Sequence, residues 1–143
     1  MRLLPPVPSQ TRSCLAPTLL PTGGGARDTL PIFVQKGDTI VLNFFTLHRD
    51  PNVFGPDPEA FRPERWGQAR PTWEFLPFGG GARHCPAQQL ALFWVAYTLV
   101  RMLLELGEMR NEDAVEEYVE NMKLNMESEN GAKVAFLGGK KVD

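Results

Sequence analysis

The 143-residue sequence is sparing with the residues that build several common kinds of site. It has two cysteines, Cys14 and Cys85. That is too few for a disulfide framework, and they are not grouped with other ligands as a zinc site requires. A strong charge of either sign is lacking: 15 Lys and Arg stand against 17 Asp and Glu, giving a net charge of -2. Nothing in that balance marks a nucleic-acid footprint. The glycine run Gly23-Gly24-Gly25 is followed by no Gly-Lys-Ser/Thr, which excludes a phosphate loop. Met1-Arg2-Leu3-Leu4 meets Pro5-Pro6 at once, so no signal peptide or membrane anchor is expected there. No internal repeat is visible.

What is present is a globular composition, 43% apolar and 22% charged, in a chain long enough for one ordinary core. Its 13 prolines and 13 glycines gather mostly in the first 90 residues. The first half is therefore expected to be rich in turns and the second half helical. Residues 1–4 read as the last turn of a helix stopped by Pro5, Pro6 and Pro8. Residues 7–18 read as extended, with Arg12 in their middle. Pro21 to Gly25 reads as a turn, and Ile32–Val34 with Ile40–Leu42 as a hairpin closed by Gln35-Lys36-Gly37-Asp38. Short helical pieces are expected around Leu47–Pro51 and Asp57–Phe61. Residues 62–77 should form an ordered coil anchored by Trp66 and Trp73.

From Pro86 to Leu106 the sequence is apolar on every side, including Leu90, Phe93, Trp94, Tyr97, Val100 and Leu103. A helix apolar all round is expected to be buried. Thr98 and Arg101 interrupt it, so it falls short of about 18–20 unbroken apolar residues and no membrane span is expected. The acidic stretch Glu108 to Glu120 reads as a solvated face. Asn130-Gly131, between Asn125-Met126 and Val134–Phe136, reads as the turn of a final hairpin.

The stretch with the most chemistry runs Phe78-Gly79-Gly80-Gly81-Ala82-Arg83-His84-Cys85-Pro86-Ala87-Gln88-Gln89. It places one thiol at the mouth of the long helix. The glycines open backbone angles closed to other residues, which lets a loop lie flat against a large planar ligand. At a helix start, exposed N–H groups and the positive dipole end favour a negatively charged sulfur. Pro86 suits the first helical position, where its missing N–H costs little. Arg83 can reach an acidic group at the ligand's edge, and Phe78 can shield the sulfur. The competing reading makes Cys85 an inert cysteine of the core, the common fate of a free thiol.

Written as Phe-x-x-Gly-x-Arg-x-Cys-x-Ala, the loop resembles the haem-thiolate loop of cytochrome P450 monooxygenases, with Ala87 where the family usually has glycine. Phe61-Arg62-Pro63-Glu64-Arg65-Trp66 resembles the family's meander, His48-Arg49-Asp50 its upstream strand-end element, and Pro6-Val7-Pro8 with Arg12 the segment after helix K. The resemblance covers residues 2–104, is looser beyond, and points among subfamilies to fungal hydroxylases of alkanes and fatty acids. It implies an α+β, mostly α fold: residues 1–143 would be a partial P450 domain, its C-terminal third from the end of helix K. That piece would carry a small sheet over residues 7–42, the meander, the Cys loop, one long buried helix and a C-terminal hairpin.

The same resemblance implies haem b as cofactor, with the Cys85 thiolate as the iron ligand. Phe78, Gly81, Arg83 and Arg12 would complete the haem contacts, the two arginines pairing with propionates and His48 a weaker candidate for the same task. Val7, Ser9, Gln10 and Thr11 would face a lipophilic small-molecule substrate. Full-length relatives use NADPH-cytochrome P450 reductase and sit in the endoplasmic reticulum membrane. Two departures limit the analogy. The family's Glu-x-x-Arg glutamate would fall three residues before Arg2, outside this sequence, leaving Arg2 and Arg65 without their carboxylate. The helix bearing an acid–alcohol pair over the distal haem face has no counterpart either. The chain by itself is therefore expected to show negligible turnover. Three readings follow: a monooxygenase portion, a catalytically inactive remnant, or a partner-binding domain using exposed apolar surface.

Overall fold

Short alternating segments set up the first pairing: Ser9–Ser13 (β1) and Thr39–Asn43 (β4) run antiparallel, with Thr11 opposite Val41 and Arg12 opposite Ile40. In this computed structural model, residues 1–115, 117–123 and 125–138 are described. The chain divides into two units, Met1–Phe75 and Leu76–Asp143.

In the first unit, a second two-stranded sheet pairs Thr18–Gly24 (β2) with Leu30–Val34 (β3). The expected hairpin of residues 32–34 with 40–42 is therefore not formed. Its proposed turn does exist, with the Asp38 carboxylate accepting from Gln35 N at 2.8 Å. However, the turn docks on the end of β1 through Cys14 N–Asp38 O and Gly37 N–Cys14 O, both 2.8 Å. Those bonds redirect the following strand to β1. The reversal expected at residues 21–25 also moves: β2 continues to Gly24 through an irregularity, and Gly25–Asp28 makes the turn. Gly23, at φ 109, supplies a backbone state that residues with a side chain rarely adopt. Residues 1–4 are not helical.

Phe44–Leu47 (α1) and Pro51–Phe54 (α2) are single helical turns. Asn43 caps the first by accepting from Thr46 N at 3.0 Å, and Asp50 caps the second by accepting from Asn52 N at 2.9 Å. Pro51 takes the first helical position of α2, where its lack of an N–H is harmless. Residues 57–61 form a turn and no helix. Pro63–Gly67 is a 3₁₀ turn. The buried residues of this unit include Pro5, Val34, Phe44, His48 and Phe54.

Aromatic contacts tie the irregular part together. Trp66 packs edge-on to Phe54 at 6.0 Å and tilted on Phe75 at 4.9 Å, while His48 lies between Phe44 and Phe75. The coil is thus ordered as expected, but Trp73 is 66% exposed. Phe75 is the anchor in its stead.

In the second unit, the long helix spans Gln88–Leu106 (α3). It starts two residues later than expected, because Pro86 and Ala87 form a turn ahead of it. No residue of α3 is buried, which overturns the expectation of a buried helix. By length and its mean hydropathy of 1.4 it is long and apolar enough to cross a membrane. Arg101 and Glu105 form an ion pair one turn apart on it. Gly107–Asn111 (β5) follows directly and pairs with Val134–Gly138 (β8), while Glu120–Met122 (β6) pairs with Met126–Ser128 (β7). The expected final hairpin around Asn130-Gly131 therefore does not form, since its two sides belong to different ladders. Gly107 is required at its position: its φ is 75, and a Cβ would lie 2.6 Å from Leu137 O. The acidic stretch is largely exposed, with Glu116 outside the described residues. Strand residues outnumber helical ones, so "mostly α" does not describe these residues.

Candidate functional site

The Cys85 loop is a closed backbone ring in the second unit. Cys85 N donates to Phe78 O at 2.9 Å, joining the two ends of the segment. Within it, Gly79 N donates to Leu76 O at 3.1 Å, and Gly79 and Gly81 have φ of 74 and 68. Gly81–Arg83 is one 3₁₀ turn, tied off by His84 N to Gly81 O at 3.2 Å. The chain then extends through His84 and reaches α3 after the Pro86-Ala87 turn. The positive φ of Gly79 and Gly81 lets these eight residues reverse the chain ahead of the helix.

Side chains on this ring are accessible. Cys85 and Phe78 are half-buried and Arg83 is exposed. Arg83 has no ion-pair partner among the described residues, so its guanidinium is available to an outside anion. A Cβ added at Gly81 would meet nothing within 4 Å, which leaves that side of the loop open. The donor chemistry also fits a haem. Among the described residues no three His, Cys, Asp or Glu side chains gather as a metal set. Cys85 is the residue of this loop that would hold a haem iron, through its sulfur.

Arg12 lies on β1 in the first unit. Its guanidinium donates to Thr11 O and Gln10 Oε1, both at 2.8 Å. These are local bonds on its own strand and hold the group in place without a carboxylate.

The first unit holds a second concentration of functional groups, an arginine cluster. Arg2 is buried and donates to His48 O at 3.0 Å and Ala60 O at 3.3 Å, with its guanidinium 5.1 Å from the Phe54 ring centre. Arg65 donates to Phe54 O, to Asp57 O at 3.0 Å and to Ala60 O at 3.0 Å. Arg49 lies over the Phe45 ring and pairs with Glu59 at 2.8 Å. Arg2 and Arg65 therefore meet at one carbonyl, that of Ala60. Burial lowers the Arg2 pKa, and Arg65 and Arg49 push it in the same direction, against a weaker pull from Glu59 and Asp57.

The carboxylate support is thin. Asp57 comes only to 3.9 Å from Arg65 and pairs chiefly with Arg62. The buried Nε of Arg65 has no hydrogen-bond partner among the described residues. Arg2 and Arg65 meet at the Ala60 carbonyl, with Asp57 the acid nearest to Arg65. Phe75, Phe54 and the Ala60 carbonyl were not singled out in the sequence. An aromatic two residues from Trp73 gave a faint signal for the first, and a backbone carbonyl gives none.

His48 is fully enclosed between Phe44 and Phe75. Burial, with the nearby N-terminal and arginine charges, lowers its pKa to about 4, so it is neutral at pH 7. Its surroundings make it a core residue of the first unit.

Comparison with known proteins agrees with this picture. A family profile described as "Cytochrome P450" matches residues 1–132. The chain is 44% identical over 138 residues to a cytochrome P450 monooxygenase, himC, of Aspergillus japonicus, covering 96% of this chain and 25% of that protein. It is 42% identical to apdE of Emericella nidulans and 42% identical to fsdH of Fusarium heterosporum, both also named cytochrome P450 monooxygenases. These alignments cover 95% and 97% of this chain, and 26% and 24% of those proteins. The chain belongs to the cytochrome P450 family. It spans about a quarter of the length of the curated relatives it matches. The family is one of haem-thiolate enzymes that draw electrons from a redox partner.

Proposed function

We propose that these residues are the cysteine-bearing portion of a haem monooxygenase, in which Cys85 would hold the iron. The closed Phe78–Cys85 ring carries the reading: it fixes one accessible thiol beside an open, glycine-lined face and an unpaired arginine. Bound haem would supply oxygen activation, helped by electron density pushed from the sulfur toward iron to favour O–O cleavage. Phe78 would limit water at the sulfur, Gly81 would let the loop approach the ring, and Arg83 and Arg12 would hold propionates. The domain would be a P450 domain of which residues 1–143 are a part, working with NADPH-cytochrome P450 reductase at the endoplasmic reticulum membrane. Its substrate would be a lipophilic molecule. The relatives' names specify monooxygenases and no substrate, so the alkane or fatty-acid class rests on sequence segments alone.

The 143 residues by themselves favour a catalytically silent chain. No residue of α3, the helix that follows the thiol loop, is buried, and the Arg65 Nε lacks a partner among the described residues. The test has two arms. A chimera in which these residues replace the matching quarter of the Aspergillus relative should give a thiolate-type carbon-monoxide difference spectrum, lost in Cys85→Ser. A thiolate spectrum persisting in that variant would remove Cys85 from the ligand role. The isolated chain, given haem and reductase, should yield no hydroxylated fatty acid, and measurable product would refute its silence.

A further inference from the structure

We propose that Asn130-Gly131 is a self-modifying site, whose asparagine converts to isoaspartate in water and so loosens the pairing of β5 with β8. Asparagine is among the chemically labile residues. Of the chain's asparagines, only Asn130 precedes a glycine. It lies in the second unit, between β7 and β8, and both residues of the pair are exposed. They line a surface hollow of about 410 Å³.

The reaction needs a backbone nitrogen that can reach the neighbouring side chain. The Gly131 nitrogen gives its proton to hydroxide and attacks Asn130 Cγ. A bond from that nitrogen to Cγ forms, the Cγ–Nδ2 bond breaks, and Nδ2 leaves as ammonia with a proton from water. Water then opens the five-membered imide. Breaking the imide's bond to the Asn130 carbonyl carbon leaves the chain running through Cγ, as isoaspartate. Breaking its bond to Cγ gives aspartate. The net change is one water consumed and one ammonia released, with no oxidant or reductant.

The turn leaves this nitrogen free to react. Its bond to Ser128 O is 3.4 Å long, beyond the usual range of about 2.7–3.2 Å. Ser128 Oγ donates at 3.1 Å to Gly131 O, on the far side of the residue. Gly131 has no Cβ to crowd the approach to Cγ. The other asparagines lack this combination. The side chains of Asn43, Asn52, Asn111 and Asn121 are held by hydrogen bonds. Asn125 is exposed but is followed by Met126, a buried residue of β7 paired with Met122.

Conversion changes both the length and the charge of the connection. Isoaspartate adds a backbone atom shortly before Val134, which faces Asn111 across the β5–β8 ladder. The bond from Glu112 N to Lys133 O, 2.9 Å, closes that end of the ladder. The new carboxylate joins Asp113 and Glu117 in the hollow, where Lys133 is the one cation among the lining residues. Like charges gathered there repel.

Incubation of the folded 143-residue chain in mildly alkaline buffer tests this. The tryptic peptide of residues 124–133 carries both Asn125 and Asn130, so mass spectrometry compares them directly. Amide-to-acid conversion should appear at Asn130, rise in proportion to hydroxide, and release ammonia in equal amount. A protein isoaspartate methyltransferase with labelled S-adenosylmethionine should label the product. Asn130→Gln, which would have to close a larger ring, should lose both signals. No conversion at Asn130, equal conversion at Asn125, or undiminished label in Asn130→Gln would each overturn the site. Amide hydrogen exchange of the converted chain should be faster at Glu112 and along β8 than in the unaltered chain. Equal exchange in the two would overturn the loosening.

Discussion

Acidification should destabilise this chain through His48, in a window set by its burial. The imidazole is fully enclosed, stacked on Phe44 and tilted against Phe75, and close to the Arg2 and Arg49 charges. Its folded-state pKa is lowered from 6.5 to about 4, with burial the largest cause. The sign follows from proton counting: between pH 6.5 and 4 the unfolded chain binds a proton that the folded chain refuses. Stability from this group is therefore fully present above pH 6.5 and lost as pH falls toward 4. Below pH 4 both states are protonated, and no further change comes from His48.

The gap of 2.5 between those pKa values corresponds to at most about 3–4 kcal/mol at 1.36 kcal/mol per pKa unit, and local relaxation around the charged ring reduces it. Carboxylates titrate in the same range, so the measurement must be a difference. Urea denaturation followed by tryptophan fluorescence, repeated from pH 4 to 7, should give a steeper stability slope for the unaltered chain than for His48→Gln. Parallel slopes in the two proteins would refute the reasoning, because they would mean that His48 charges as easily folded as unfolded.

Two further substitutions test packing and backbone. Phe54→Ala empties a buried site that touches Trp66 and Arg2, and should cost about 3–5 kcal/mol in chemical denaturation. Gly107→Ala places a Cβ against Leu137 O with φ at 75, and should cost at least about 1–2 kcal/mol. Amide hydrogen exchange should show faster opening of the β5–β8 ladder in that variant than in the unaltered chain.

The Cys85 loop was legible because its physics is local. Glycine positions, the arginine and the cysteine lie within eight residues, and one backbone bond from Cys85 N to Phe78 O closes them. The arginine pair was legible in part: Arg2 and Arg65 were paired by family resemblance, and the structure brings both to the Ala60 carbonyl. Nothing in the residue types could show that Ala60 O would be the meeting point, since every residue carries that acceptor.

Strand pairing was misread wherever a nearby turn signal competed with a distant partner. Gln35–Asp38 is a genuine turn, yet the Cys14 backbone captures it and β4 goes to β1. The Asn130-Gly131 turn likewise joins two ladders instead of closing one. A turn motif specifies reversal of the chain but not which strand lies alongside afterwards.

By itself the sequence determined the family: a glycine-rich loop with one thiol ahead of an apolar helix, in a chain of the cytochrome P450 family. Only the tertiary structure decided how the chain's own groups are satisfied. It left α3 without a buried residue and the Arg65 Nε enclosed without a partner among the described residues. The reason is that loop geometry is fixed by adjacent dihedral angles, whereas burial and hydrogen-bond satisfaction depend on which distant groups arrive.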